Sequence, residues 1–76
     1  MSVSELHLTD PLLIGNLIKQ YRKEKQITQQ QLADYSGLSR IGIVKLEQGK
    51  GDIKISTLIT LFELLGFDLI LRKRGN

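Results

Sequence analysis

Between Gln29 and Leu46 the chain sets a small residue, Ala33, a glycine four positions on, Gly37, and a β-branched apolar residue six beyond that, Ile43. No other stretch limits the fold so tightly. The spacing predicts two short helices meeting at a sharp angle. Ala33 falls at the crossing, where a larger side chain would clash, and Gly37 supplies the positive-φ turn between them. Ile43 and Leu46 seat the second helix on the first and leave its opposite face in solvent.

The flanking segments complete a small all-helical domain. Thr9 or Asp10 caps a first helix with Pro11 at its first position, and Ile14, Leu17, Ile18 and Tyr21 recur on one face until the helix fades near Lys25. Thr28 opens the second helix as a capping box, with Gln31 reaching back to the Thr28 backbone. Ser39 caps the third, which runs to about Glu47. Gln48 to Asp52 is a turn. Ser56 caps a fourth helix from Thr57 to Leu65, closed by Gly66 in the left-handed region. Leu58, Ile59, Leu61, Phe62, Leu64 and Leu65 cover more than one side of that helix, which predicts a second buried side, against a partner chain.

Phe67, Leu69 and Leu71 then alternate with Asp68, Ile70 and Arg72, the period of a strand. No second strand accompanies it. An unpaired strand leaves a row of backbone donors and acceptors open, and the economical remedy is pairing with its own copy in a symmetric dimer. The alternative is an apolar extension folded back on its own core. The resulting division is a loose arm at 1–8, a helical domain at 9–66, a dimerisation strand at 67–73 and a basic tail at 74–76.

At 76 residues there is room for one domain, which buries only about 60–65% of its unfolded surface. With no cysteine there is neither a disulfide nor a cysteine metal site. No leader and no membrane-length apolar run is evident, so a cytoplasmic protein without a membrane partner is expected. The net charge of +3 is a modest basic bias. Its distribution says more: Lys19, Arg22, Lys23 and Lys25 precede the helix pair, Arg40, Lys45, Lys50 and Lys54 run through and past it, and Arg72, Lys73 and Arg74 crowd the end. A small helix held proud of a basic domain suits a DNA major groove. Enzyme chemistry finds no support: there is no phosphate-cradling Gly-Lys-Ser/Thr loop, no paired carboxylates in a cleft, and the lone histidine, His7, sits in the arm. No cofactor or metal is expected.

Ile27-Thr28-Gln29, Leu32-Ala33, Gly37-Leu38-Ser39, Ile43 and Leu46-Glu47-Gln48-Gly49-Lys50 together resemble the Xre/Cro-type helix-turn-helix family over roughly Pro11 to Leu65. Within it, Thr9-Asp10-Pro11 and Leu64 to Leu69 look most like the HipB-type antitoxins, whose C-terminal strands pair between protomers. The resemblance implies a compact, four-helix, lambda-repressor-like fold with one short C-terminal β-strand pairing across a dimer. It implies a repressor binding a palindromic double-stranded operator, with a HipA-like kinase toxin as a candidate partner. A phage-type or restriction-controller regulator without a toxin is the alternative, and a pure protein-interaction module a second.

The residue roles follow from the same resemblance. Arg40, Ile41 and Lys45 match base-reading positions: Arg40 toward guanine, Ile41 toward a thymine methyl, Lys45 toward guanine or phosphate. An isoleucine exposed between an arginine and a glycine makes a poor surface without a partner. Gln29, Ser39, Gln48, Lys50 and, more weakly, Lys54 match phosphate contacts, although Ser39 is accounted for by capping alone and the two lysines by solvation. Gly42 admits close approach to DNA or tight packing against the second helix. Arg22 and Glu47 match a structural ion pair between the first helix and the end of the third. Phe62, Phe67, Leu69, Ile70 and Leu71 are assigned to the dimer interface.

Overall fold

The computed structural model describes residues 6–75. Four helices follow in order, α1 (Pro11–Glu24), α2 (Gln29–Ser36), α3 (Arg40–Glu47) and α4 (Ile55–Leu64). Helix α3 packs against both α1 and α2, and α4 packs against α2. Ile18, Leu32, Ile43 and Leu61, one from each helix, are completely enclosed and form the centre of the core. Ala33 is buried with them.

Three of the four helices start where a local side chain provides a partner for the first amides. Asp10 accepts from Leu13 N–H at 2.9 Å ahead of Pro11. Thr28 and Gln31 bond reciprocally in the capping box. Ser39 Oγ accepts from Gly42 N–H at 3.0 Å. The fourth start differs from the sequence expectation: Lys54, not Ser56, occupies the cap position, and no side chain caps α4. Ser56 lies inside the helix, where its carbonyl accepts the Thr60 hydroxyl at 3.1 Å. The helix begins early because Ile53 and Leu58 are drawn onto the core, and that packing outweighs the missing cap.

Three helix ends share one closure. At the end of α3, Gly49 N–H reaches the Leu46 carbonyl and Lys50 N–H the Lys45 carbonyl, with Gly49 at φ 73°. At the end of α4, Gly66 donates to Glu63 and Phe67 to Phe62, with Gly66 at φ 93°. At the end of α1 the same pair of bonds forms from Gln26 to Lys23 and from Ile27 to Arg22, but the left-handed residue is Gln26, at φ 57°. A side chain in that region carries a steric cost that glycine escapes.

Two glycines admit close contact. A Cβ on Gly15 would lie 2.3 Å from the Leu46 carbonyl oxygen, so α1 and α3 touch backbone to backbone there. A Cβ on Gly49 would lie 2.7 Å from Leu12 Cα, so that glycine is required both for its φ and for its space.

Residues 67–75 form no strand within the single chain, because no other extended segment among the described residues offers a ladder. Phe62, assigned to a dimer interface, is only 2% exposed inside its own core. Phe67 packs edge-on against Tyr21 and Phe62, with ring centroids 4.6 Å and 6.1 Å away. These aromatics staple the end of α4 to α1 instead of facing a partner. Leu69 is half-buried, whereas Ile70 and Leu71 stand 84% and 100% exposed. The second side of α4 is also open, with Ile55, Ile59 and Leu64 in contact with solvent. Of the arm, residues 1–5 fall outside the described residues, Leu6 packs against the core, and His7 and Leu8 are exposed.

Two substitutions test this packing. Helix propensity alone favours Gly15→Ala by about 1 kcal/mol, yet the forced separation of α1 from α3 is expected to destabilise by about 1–3 kcal/mol net. Gln26→Gly is expected to act in the opposite direction, raising stability by about 1 kcal/mol. Urea denaturation of the two variants reads both signs.

Candidate nucleic-acid interface

At the centre of the site is a buried ion pair. Arg22 Nε donates to Glu47 Oε2 at 2.6 Å, and a second guanidinium nitrogen donates to Oε1 at 3.1 Å. The two side chains are 9% and 3% exposed. The remaining guanidinium nitrogen donates to the Ile27 carbonyl at 2.9 Å. Glu47 Oε1 also accepts from Gln29 Nε2 at 3.1 Å. Four pieces of the chain therefore meet at one ion pair: the end of α1, the loop after it, the start of α2 and the end of α3. No buried polar side-chain atom among the described residues is left without a partner, which is the condition under which a buried charge pair is tolerable.

Around this knot the outer surface carries the remaining candidates. An open concavity of about 440 Å³ is lined by Lys19, Arg22, Lys23, Thr28, Gln29, Gln30 and Arg40. It brings together Gln29 and Arg40 from the sequence-derived set and adds Lys19 and Lys23, to which sequence reasoning gave no role. The signal was present in the four-residue spacing of the two lysines, but only the packing of both α1 and α2 on α3 brings that face beside the start of α3. A second, smaller concavity of about 110 Å³ gathers Lys45 and Lys50 beside Gly42 and Ile53. Ile41 projects from α3 with 68% of its surface exposed, while Ile43 and Leu46 on the opposite side are buried. Gln48 is exposed at the C-cap of α3. Ser39 and Lys54 line neither concavity; Ser39 spends its oxygen as a cap acceptor.

Gly42 is decided by its surroundings. A Cβ there would meet Ser39 Oγ at 3.3 Å and Leu38 Cβ at 3.8 Å, and nothing from α2. Tight packing against the second helix is therefore not the reason for this glycine. Among the described residues no group of three or more His, Cys, Asp or Glu gathers as a metal site, and no helix is long and apolar enough to cross a membrane.

The arrangement of α2, the Gly37 turn and an outward α3 is accompanied by a family match: residues 18–71 fit the helix-turn-helix family. This chain belongs to the Xre-type helix-turn-helix family. The helix-turn-helix chain is 37% identical over 54 residues to YonR of Bacillus subtilis (strain 168), an SPbeta prophage-derived uncharacterized HTH-type transcriptional regulator. That match covers 71% of this chain and 50% of the relative, so the chain spans half of that protein's length. The restriction-modification controller protein C.AhdI from Aeromonas hydrophila superposes with a TM-score of 0.71 at 25% identity, over 78% of this chain and 86% of that one. A chain of the HipA-HipB-O2-O3 complex superposes with a TM-score of 0.75 over 93% of this chain and 100% of its own length; at 20% identity that likeness concerns the fold. The prophage-derived relative is described as a transcriptional regulator and C.AhdI as a controller protein, neither as an enzyme.

Removing one partner of a buried, hydrogen-bonded pair leaves the other charge stranded. Glu47→Ala is therefore expected to lose about 3–5 kcal/mol of stability, read as an earlier urea midpoint with little change in slope. An unchanged midpoint would overturn the structural role given to the pair.

Proposed function

We propose that this protein is a dimeric, sequence-specific DNA-binding repressor that inserts α3 into the major groove. The observation that carries the reading is Ile41. It is 68% exposed on the outer face of α3, flanked by the exposed Arg40 and Lys45, on a helix whose opposite face is fully engaged in the core. An apolar side chain between two cations suits a groove edge, where a thymine methyl takes the isoleucine and guanine acceptors take the arginine or lysine. Gln29, Ser39, Gln48, Lys50 and, at the margin, Lys54 contact phosphates and set the register. Affinity then comes largely from counterion release and sequence choice from α3.

Dimerisation supplies the second recognition helix, reaching a major groove about 34 Å along a palindrome. With Phe62 and Phe67 engaged in their own chain, what remains of the assigned interface for a second copy is the exposed Ile70 and Leu71 beside the half-buried Leu69. Their alternating apolar side chains favour strand addition between two copies.

Within this role we favour the antitoxin of a HipBA-like system that represses its own operon and binds a kinase toxin. The end-to-end superposition on a chain of the HipA-HipB-O2-O3 complex supports it. The second reading, a phage-type or restriction-controller regulator without a toxin, is favoured by the identity to the prophage-derived YonR and by the C.AhdI likeness. A kinase-like reading frame beside the gene separates the two.

The test uses the protein's own promoter as a duplex and a scrambled duplex of equal length, with sedimentation to read mass. A dimer that prefers the promoter is the expected result, and a monomer without preference would overturn the proposal. Arg40→Ala is expected to lose about 1–3 kcal/mol on the promoter and relax its specificity, whereas Lys50→Ala weakens both duplexes alike and reduces the salt slope by about 1. Equal losses by both variants on both duplexes would refute this division of labour.

A further inference from the structure

Lys19 and Lys23, four positions apart on α1, lie one helical turn apart on one face. They share the larger concavity with Gln29, Gln30 and Arg40, and no acidic side chain lines that space. Its one buried cation, Arg22, has its charge met by Glu47 and its remaining nitrogen by the Ile27 carbonyl. The charge available to a ligand therefore comes from the exposed lysines and Arg40. Gln29 is held differently from its neighbours. Gln30 bonds along its own helix to Asp34, whereas Gln29 Nε2 donates across the fold to Glu47 Oε1 at 3.1 Å. An ionised carboxylate only accepts, so it dictates that the nitrogen and not the oxygen of the Gln29 amide turns toward it, and an amide nitrogen has two protons to give. One is held by Glu47. The other belongs to an amide whose residue lines the concavity.

We propose that Glu47 is a positioning residue as well as a structural one: it presets the Gln29 amide as a donor, and Gln29, Lys19 and Lys23 together seat a phosphate of the DNA backbone. The inference deepens the DNA reading above and rests on it. Arg22 orients the carboxylate, the carboxylate orients the glutamine, and the two lysines supply the charge. The same buried contact that holds α1 to α3 thereby prepares the surface that meets the backbone, and folding and binding share one group.

The experiment uses the full chain and a short random-sequence duplex, which isolates backbone contacts from base reading. Binding is followed against salt for the wild type and for the Lys19→Gln, Lys23→Gln double variant, both changes being on an exposed helix face. Loss of two phosphate-facing charges is expected to flatten the slope of log K against log salt by about 1–2; an unchanged slope overturns the seat. Proton–nitrogen spectra of the wild type then follow the side-chain amides. The Gln29 amide is expected to shift on adding the duplex while those of Gln20 and Gln26, outside the concavity, stay in place; a Gln29 amide that does not move overturns the role given to Glu47. Glu47→Gln, where it folds, is expected to weaken binding and to abolish the Gln29 shift, whereas loss of stability with an intact shift leaves Glu47 structural only. A wild type that binds neither random nor promoter duplex would sink the DNA reading itself; binding with an unchanged slope in the lysine variant sinks the seat alone.

Discussion

The Arg22–Glu47 contact is the interaction on which the rest of the structure depends. An exposed ion pair contributes about 0–1 kcal/mol, and such a pair would not hold four short helices together. Here both partners are buried, and burial makes the arrangement demanding. Each charge gives up its water and needs replacement bonds for every polar atom. Glu47 receives two guanidinium nitrogens and one amide, and Arg22 gives its remaining nitrogen to a carbonyl of the loop after α1. The position of the pair matters as much as its strength, because it joins two helix ends and one helix start that share no continuous sequence.

The helix ends around the pair make such a joint possible. Glu47 is the last residue of α3, and the turn after it is closed by Gly49, which also lies against the backbone of Leu12. Gly15 lets the backbone of α1 rest on the carbonyl of Leu46, one residue before Glu47. A carboxylate at the end of α3 reaches Arg22 only because nothing larger than hydrogen separates the two helices at that point. With the inner side of α3 committed to Ile43, Leu46 and Glu47, the direction of its outer side follows, and Arg40, Ile41 and Lys45 are left exposed.

Local elements were legible where the signal is local. The caps at Asp10, Thr28 and Ser39 and the left-handed Gly37 depend on a few adjacent residues, and they stand where their chemistry places them. The start of α4 was misjudged because its cap signal at Ser56 is weaker than the pull of Ile53 and Leu58 toward a core built by distant residues. The C-terminal alternation was read as a strand because Phe67, Leu69 and Leu71 have the right period. Period alone does not reveal that Phe67 closes the end of α4 and meets Tyr21, 46 positions earlier in the chain. Lys19 and Lys23 stand out in the sequence only as members of a basic cluster: their spacing marks a helix face, and nothing local says what that face looks upon.

By itself the sequence determined four amphipathic helices, the caps of the first three, the small residue and glycine that set α2 against α3, and the identity of the side chains on the outside of α3. These rest on contacts within a few residues, whose geometry follows from helix periodicity and backbone sterics. The resemblance of its motifs to a known family also named the Arg22–Glu47 pair. Only the tertiary structure decided that Gln29 joins that pair, that two lysines of α1 share a concavity with it, that Gly42 faces Ser39 and Leu38 rather than α2, and that Phe62 and Phe67 belong to the chain's own core. Each of these depends on distances between segments brought together by packing, and such distances exist only after the core has closed.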